Sequence, residues 1–410
     1  MTGLNVLLFL ALIAGHTELI VMFVNRMHAR RIGCGTLRRI RQIHDILIPL
    51  FPVLLVWYAG ITGPGLLVGG SWTDLPIGWW SVFAICLVGF AGLCCSALRS
   101  LLYRIPKAQL SNHSQTVDIE KSLGFAPLGD GPFRYLARVP GNEIFRIEVS
   151  EKRYQHPNLP REWDGLSILH LSDFHFIGTV DRPFFEQVIQ LSEEMNPDMI
   201  VFTGDLLDRR ELVDWLPATL GQLSAPLGQY FILGNHDWYL EPEEIRIAMS
   251  DIGWTDVAGK TVEVDHSGVQ DSEASGKRQL SVSEEQTADT GRPPIVIGGS
   301  ECPWMGSHPD FSSAPDGSFR VLLSHTPDNL LWAKQQQVDL MLSGHNHGGQ
   351  VVLPIIGPVY SPSRYGVRYA GGVFWEDPTL LYVSRGISSR HPVRFRCLPE
   401  LTKLVLESGS

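Results

Sequence analysis

The chain has 410 residues, with 33 Lys and Arg against 43 Asp and Glu, a formal net charge of −10, and 44% hydrophobic residues. This length is enough for one large domain and a further segment, and the acidic balance argues against a general nucleic-acid-binding protein. The six cysteines show no Cys-x-x-Cys spacing and do not indicate a disulfide framework.

Three apolar runs of about 20 residues dominate the first hundred residues, at residues 4–24, 46–68 and 79–98. Each is long enough to cross the hydrocarbon core of a membrane, so we predict a transmembrane block over residues 1–104. Buried core helices are the alternative. The prolines of the second run leave open whether it crosses fully, and the first run lacks the pattern of a cleaved signal peptide.

Basic residues predict the orientation of this block. Six arginines lie between the first two runs, whereas residues 69–78 contain no Lys or Arg. The positive-inside rule then places the N-terminus outside and the chain after the third run in the cytoplasm. We therefore expect a multi-pass protein of the cell inner membrane, and a re-entrant second run would reverse the side of the following domain.

The remainder reads as a linker over residues 105–139 and a catalytic domain over residues 140–407. Residues 145–149 alternate between apolar and charged side chains, which predicts a half-buried strand beside the strand at 167–171. Helices are predicted at 182–195, 241–252 and 327–337, the last with Thr326 as N-cap. Strands that alternate with helices indicate an α/β fold.

Residues 267–292 differ in composition from this pattern. They are rich in Ser, Glu, Asp, Gln, Thr and Gly, contain one Leu and have no aromatic side chain. Such a segment buries too little apolar surface to order itself, so we predict a flexible insertion. The strands on either side of it are predicted at 261–264 and 295–297.

Five short polar clusters each follow a predicted strand. The strands are 167–171, 199–202, 230–233, 320–323 and 340–342, and the clusters are Asp173-Phe174-His175, Gly204-Asp205-Leu206-Leu207-Asp208, Gly234-Asn235-His236-Asp237, Ser324-His325 and Gly344-His345-Asn346-His347. This placement gathers carboxylates, imidazoles and one amide at one end of one sheet. Taken alone, each cluster could be a turn or a core histidine; together they indicate a two-metal hydrolytic site.

A two-metal site needs a carboxylate shared by both ions and mixed oxygen and nitrogen ligands around each. One ion could be held by Asp173, His175, Asp205 and His347, and the other by Asp205, Asn235, His325 and His345. His236 neighbours a ligand and is the candidate that protonates the leaving group. Asp208 or Asp237 could orient imidazoles from behind the ligands.

In order and spacing the five clusters resemble the motifs of the calcineurin-like metallophosphoesterases, over about residues 140–407. The stretch Gly344-His-Asn-His-Gly-Gly-Gln350, with Tyr382-Val-Ser-Arg-Gly386 and the closing Pro399-Glu-Leu-Thr-Lys-Leu-Val405, is similar to a membrane-anchored bacterial branch that includes UDP-2,3-diacylglucosamine hydrolases. The resemblance implies a β-sandwich flanked by helices and two divalent metal ions. We expect manganese, with iron, zinc or a mixture as alternatives.

These observations predict a membrane-anchored dimetal phosphoesterase that hydrolyses a phosphodiester or pyrophosphate bond of a lipid-linked substrate such as UDP-2,3-diacylglucosamine. An alternative is the same chemistry on a soluble, cyclic-nucleotide-like diester, and a distant one is a non-catalytic membrane scaffold. The expected partners are a phosphorylated amphiphilic small molecule and the membrane, with neither a nucleic acid nor a specific protein partner indicated.

Overall fold

A computed structural model describes residues 2–264 and 293–409 of the chain. The predicted insertion at 267–292 lies outside the described residues. The described chain forms two compact units: the first comprises residues 1–104 and 352–368, and the second comprises residues 105–351 and 369–410. We call them the membrane-helix unit and the catalytic unit.

The helices, in chain order, are α1 (Thr2–His28), α2 (Cys34–Leu54), α3 (Ile77–Leu102), α4 (Ile119–Leu123), α5 (Arg134–Ala137), α6 (Arg182–Glu194), α7 (Asn235–Trp238), α8 (Pro242–Asp251) and α9 (Leu330–Gln335). The strands are β1 (Gln109–Asp118), β2 (Arg146–His156), β3 (Leu166–Leu171), β4 (Met199–Thr203), β5 (Gln229–Ile232), β6 (Thr255–Asp256), β7 (Thr261–Val264), β8 (Ile295–Ser300), β9 (Phe319–Ser324), β10 (Leu340–Ser343), β11 (Val352–Leu353), β12 (Gly357–Pro358), β13 (Gly372–Glu376), β14 (Thr379–Val383) and β15 (Glu400–Ser408).

The membrane-helix unit contains three helices long and apolar enough to cross a membrane: Gly3–His28, Cys34–Thr62 and Ile77–Leu102. The second differs from its predicted bounds of 46–68. It begins at Cys34, because a polar, arginine-bearing first part continues into the apolar part as one helix, and hydropathy alone does not reveal such a start. After Pro49 and Pro52 it ends in π-helical turns over Leu55–Thr62.

The catalytic unit is built on two sheets. The first has the strand order β1-β2-β15-β3-β4-β5-β6, and the second has the order β13-β14-β10-β9-β8-β7. Side chains that alternate along the strands fill the space between the sheets, among them Ile168, Val201, Ile232, Ile297, Val321 and Leu342. The other face of the first sheet is covered by α6 and α8, whose apolar sides pack on Leu169, Phe202 and Phe231. The predicted β-sandwich flanked by helices is therefore confirmed.

Two predicted neighbourhoods differ from the structure. The strand around residues 145–149 does not lie beside β3, because β15 from the end of the chain lies between them, parallel to β2 and antiparallel to β3. Residues 109–118, which we assigned to a linker, form β1 and pair with β2. Periodicity identifies a strand but not its partner, and β1 is polar along most of its length because it lies at the sheet edge.

The predicted helices form near their expected bounds. α6 and α8 occupy 182–194 and 242–251, and the third splits into a 3₁₀ turn at Pro327–Asn329 followed by α9. Thr326 caps that turn, since its hydroxyl oxygen accepts a hydrogen bond from the Asp328 N–H at 3.2 Å.

Candidate metal centre

The five polar clusters lie at the carboxyl ends of β3, β4, β5, β9 and β10. The first three strands run parallel in one sheet and the last two run parallel in the other. We expected one end of one sheet, and the structure instead draws the clusters from both layers of the sandwich. The sequence shows five strand ends but not how five strands divide between two sheets.

The backbone at this edge is strained. Five of the predicted ligands have left-handed φ values: Asp173 (56°), His175 (48°), Asp205 (57°), His345 (70°) and His347 (51°). A non-glycine residue pays a steric cost in this region, and residues held there concentrate at functional sites. The strained turns aim the side chains of several chain segments toward one another.

Asp173, His175, Asp205 and His347 form the first group. Each offers one atom, and these atoms all lie within 4.8 Å of one another. The Nε2 atoms of His175 and His347 are 3.2 Å apart, and the His175 Nε2 lies 3.6 Å from Asp205 Oδ2. Asp173 and Asp205 are fully buried. The structure thus brings together all four residues predicted to hold one ion.

Asp205, His325 and His345 form the second group, so Asp205 belongs to both. The His325 Nε2 lies 3.3 Å from Asp205 Oδ2 and 3.1 Å from Asn235 Oδ1. The amide oxygen of Asn235 therefore faces the same point, and all four residues predicted for the other ion are together.

Hydrogen bonds behind the imidazoles select their tautomers. The Nδ1–H of His325 donates to the Thr203 carbonyl at 2.7 Å, and the Nδ1–H of His175 donates to Asp208 Oδ2 at 2.8 Å. Because a carbonyl and a carboxylate can only accept, these rings carry a proton on Nδ1 and present Nε2 to the centre. That is the arrangement a metal-binding imidazole needs.

The two central carboxylates, Asp173 and Asp205, form ion pairs with the imidazoles of His175, His325 and His347. Burial raises the pKa of Asp173. Burial would also raise that of Asp205, but His325 and His236 hold the pKa of Asp205 well below its usual range. In turn Asp205 overcomes the effect of burial and raises the pKa of His325 to about 9. A proton on the His325 Nε2 occupies the position of a metal ligand, so a bound cation would displace that proton.

His236 lies beside both groups. Its Nδ1–H donates to Asp208 Oδ1 at 2.6 Å, and about one fifth of its side chain is exposed, unlike the buried His175 and His325. Burial lowers the pKa of His236, yet the carboxylates of Asp208 and Asp205 outweigh burial and raise it to about 9. These two carboxylates therefore favour the protonated ring, in which the second proton is on Nε2.

Asp208 and Asp237 play different parts. Asp208 orients two imidazoles, those of His175 and His236. The carboxylate of Asp237 instead accepts hydrogen bonds from the backbone N–H groups of Leu206, Leu207 and Gly234. Its position in α7 turns it toward two loop backbones, which it connects, so of the two alternatives Asp208 is the one that contacts imidazoles in the described part of the chain.

Sequence reasoning missed three side chains at the centre. Trp304 is buried, with its ring centroid 4.9 Å from that of His345 and 5.6 Å from that of His325. Arg394 is fully buried and donates to the carbonyls of His347 and Ser388. Arg390 lies at the rim, 3.5 Å from Asp208. None of them belongs to a strand-end cluster, so spacing could not have identified them.

Two glycines allow the strand ends to approach. A Cβ on Gly344 would lie 1.9 Å from the Ser172 hydroxyl and 2.3 Å from Asp173 Oδ2, and one on Gly234 would lie 2.2 Å from Asp205 Oδ1. Any side chain at either position would displace a central carboxylate.

Comparison with known proteins agrees with the resemblance seen in the sequence motifs. The model of the family described as calcineurin-like phosphoesterase matches residues 166–349. An uncharacterized metallophosphoesterase of Bacillus subtilis, YkuE, is 33% identical over 288 residues, covering 68% of this chain and 90% of that protein. The phosphodiesterase YaeI of Escherichia coli is 28% identical, covering 58% of this chain and 81% of YaeI. The UDP-2,3-diacylglucosamine pyrophosphatase LpxG of Chlamydia muridarum is 27% identical, covering 58% of this chain and 82% of LpxG.

Proposed function

The chain belongs to the calcineurin-like phosphoesterase family, and on that basis we propose that it is a membrane-anchored dimetal enzyme that hydrolyses a phosphodiester or pyrophosphate bond of a lipid-linked substrate. The observation that carries this proposal is the pair of His and Asp groups that share Asp205 and stand beside the imidazolium of His236. We take UDP-2,3-diacylglucosamine as the model substrate.

The donor set fits two divalent cations. We assign Asp173, His175, Asp205 and His347 to one ion and Asp205, Asn235, His325 and His345 to the other. The buried carboxylates at the centre pair with imidazoles, and divalent cations would neutralise their negative charge. Two bound divalent ions orient a phosphoryl group and activate water. Mixed imidazole and carboxylate donors accept manganese, our first choice, as well as iron and zinc.

His236 is the proposed general acid. Its Nδ1 is held by Asp208, which leaves the Nε2–H of the imidazolium to donate its proton to the leaving-group oxygen as the phosphorus–oxygen bond breaks. Arg390 at the rim offers a cation that could bind a second phosphoryl group of a pyrophosphate substrate, as guanidinium groups do.

Two observations support an amphiphilic substrate. Three helices can span a membrane, which keeps the enzyme where lipids are. The catalytic unit also has a cavity of about 230 Å³, whose lining includes apolar side chains (Leu207, Val213, Leu240, Ile245, Ile247 and Ala248) and charged ones (Arg210, Glu241, Glu244 and Asp251). Leu207 directly precedes Asp208 in the chain, so this cavity adjoins the loop that supports His175 and His236. Its apolar side chains would accommodate part of an acyl chain.

We further propose that the protein resides in the inner membrane with its catalytic unit in the cytoplasm. The support is the sequence asymmetry already described: six arginines lie between the first two apolar runs, and residues 69–78 contain none.

The decisive experiment is manganese-supported release of UMP from UDP-2,3-diacylglucosamine by the full chain in detergent micelles, with bis(4-nitrophenyl) phosphate as a soluble diester for comparison. We expect turnover of the lipid and a loss of about 10²–10⁴-fold in His236→Ala, the range for a general acid. His113→Ala, which alters an exposed histidine of β1, is the matched control and should retain full activity.

Cleavage of the soluble diester without cleavage of the lipid would remove the proposed substrate and favour the alternative, a soluble cyclic-nucleotide-like diester. Unchanged turnover in His236→Ala would remove the proposed role of His236. A purified chain that binds no divalent metal and cleaves neither compound would overturn the enzymatic proposal as a whole.

A further inference from the structure

Residues 352–368 follow the last histidine motif of the catalytic sequence, yet they pack with the membrane helices. Val352 lies five residues after His347 in the chain, and the segment 352–368 belongs to the same compact unit as residues 1–104. It starts as the two-stranded hairpin of β11 and β12. We call the whole segment the interface hairpin.

The interface hairpin is seated against the ends of two helices. Its Ser361 N–H donates to the Asn25 Oδ1 of α1 at 3.4 Å, and the Tyr360 ring lies 6.3 Å from the His28 ring, edge to face. Ser361 is fully buried, and Asn25 is only 2% exposed. Polar groups buried in this way hold a fixed arrangement, because each would be costly to bury without its partner.

The contact with α3 is equally close. Gly357 has φ +85°, and a Cβ added there would lie 2.6 Å from the Ser100 hydroxyl oxygen. Asn25 and His28 lie in the last turns of α1, and Ser100 lies in the last turn of α3. The hairpin therefore sits at the level where these two apolar helices end, which is the level of the interface between hydrocarbon and water if the helices span a membrane.

The tip of the hairpin is apolar and exposed. Ile355 is 74% exposed and Leu353 is 40% exposed, with the exposed Pro354 between them. Neighbouring apolar side chains at a loop tip are unfavourable in water and mark a contact with another apolar phase. Arg364 and Arg368, later in the segment, are also exposed.

The residues around the hairpin indicate that this apolar phase is a lipid bilayer. The helix ends that hold the hairpin carry basic side chains, with Arg26 in the last turn of α1 and Arg99 in that of α3. Basic residues at the ends of apolar helices lie among lipid phosphates. An apolar tip at that level, with arginines nearby, matches the layered chemistry of a bilayer surface, as in interfacial anchors.

We propose that the interface hairpin is a membrane-surface element, in which Leu353 and Ile355 insert into the bilayer between the lipid headgroups and the upper acyl chains. The apolar tip of the hairpin is thus in contact with the lipid bilayer. This inference goes beyond the proposed function, since it concerns the hairpin and holds whatever the substrate. It gives the catalytic sequence a second attachment to the membrane, five residues from His347.

The test places a bimane fluorophore on the tip of the full chain in proteoliposomes of phosphatidylcholine and phosphatidylglycerol. The parent carries Ser at the four partly or fully exposed cysteines, Cys34, Cys94, Cys95 and Cys302, and keeps the two buried ones. Ile355→Cys is labelled and measured with and without phospholipids that carry a nitroxide just below the headgroup. We expect at least a twofold loss of fluorescence.

Two reference positions calibrate the result. Val88→Cys, exposed in the middle of α3, should be quenched best by a nitroxide deep in the acyl chain. Leu331→Cys, exposed on α9 of the catalytic unit, should not be quenched. Quenching at Ile355→Cys above that at Leu331→Cys supports the proposal, and quenching no greater than at Leu331→Cys overturns it. Neither result depends on catalytic activity, so the proposed function is tested separately.

Discussion

Two of the clusters of buried charge in the described part of the catalytic unit are balanced in different ways. In the interior cluster, Glu400 pairs with the Lys152 Nζ at 2.5 Å and the Arg385 Nε at 3.0 Å, and it accepts a hydrogen bond from the Tyr382 hydroxyl. At the candidate metal centre, Asp173 and Asp205 pair with imidazoles. In the first cluster the buried carboxylate pairs directly with a lysine and an arginine, whereas Asp173 and Asp205 in the second form their ion pairs with imidazoles.

The pKa values of the buried carboxyl groups reflect this difference. Burial would raise the pKa of Glu400, but Arg385 and Lys152 hold it well below its usual range. Burial raises the pKa of Asp173, whose carboxylate forms ion pairs with the imidazoles of His175 and His347. A buried acid paired with Lys and Arg is a closed structural element, whereas one surrounded by imidazoles whose Nε2 atoms face a common point has a ligand set that suits metal ions.

The largest expected effect comes from Asp205→Asn, which removes the carboxylate common to both groups. Loss of metal from the centre removes several kcal/mol of transition-state stabilisation, so kcat on bis(4-nitrophenyl) phosphate should fall by at least about 10³-fold. Metal content measured by inductively coupled plasma mass spectrometry should fall with it. Asp164→Asn, at an exposed carboxylate, is the control. A variant with two metals and full activity would contradict the assignment.

Lys152→Met disrupts the interior cluster. In contrast to Asp205→Asn, we expect it to lower stability and to leave the metal content unchanged. It leaves Glu400 buried with one cation fewer, which should cost about 3 kcal/mol of unfolding free energy and lower Tm by about 6–12 °C. Metal content should not change. Lys403→Met, which removes a pair with the more exposed Glu151, should cost less than about 1 kcal/mol. If Lys152→Met lost metal while Tm stayed the same, the two clusters would not be separate.

Asp208→Asn tests the hydrogen bonds behind the ligands. The amide can replace the carboxylate for one imidazole but not for both His175 and His236. Loss of such a partner typically weakens metal binding by about 10–100-fold, measurable by titrating activity against free manganese. Asp237→Asn, which changes a carboxylate bound to backbone N–H groups, should lower Tm instead. Equal manganese affinities in Asp208→Asn and the wild type would refute this role.

The smallest effect concerns the dependence of stability on pH, to which a histidine of the sandwich interior contributes. His156 is fully buried between the rings of Phe319 and Trp375, and burial lowers its pKa to about 4. The unfolded chain binds the proton near pH 6.5, so stability present above that pH is lost as pH falls toward 4. Between pH 7 and 5 the loss is about 1–2 kcal/mol.

Thermal unfolding across this pH range measures the effect. His156→Asn should flatten the fall in Tm between pH 7 and 5, and the control His113→Asn, at an exposed histidine, should leave it as in the wild type. A slope unaffected by His156→Asn would show that other groups cause the acid sensitivity.

The sequence alone predicted the family, the sandwich and the residues of the candidate metal centre. Three motifs carry this information: Asp173-x-His175, Gly234-Asn-His-Asp237 and Gly344-His-Asn-His347. The spacing of their residues depends on local backbone geometry, so they can be recognised in the sequence without knowledge of the fold. The family and the sandwich are confirmed. The ligand assignment stays a prediction, although the structure brings every member of it together.

Tertiary structure decided what depends on partners distant in the chain. Only the fold shows that two sheets supply the centre, that β15 separates β2 from β3, and that Asp237 binds backbone rather than an imidazole. Only the fold shows that residues 352–368 pack with the membrane helices. Periodicity and local motifs report which face of an element is apolar, whereas strand order and long-range hydrogen bonds depend on packing between segments up to 336 positions apart, as Asn25 and Ser361 are.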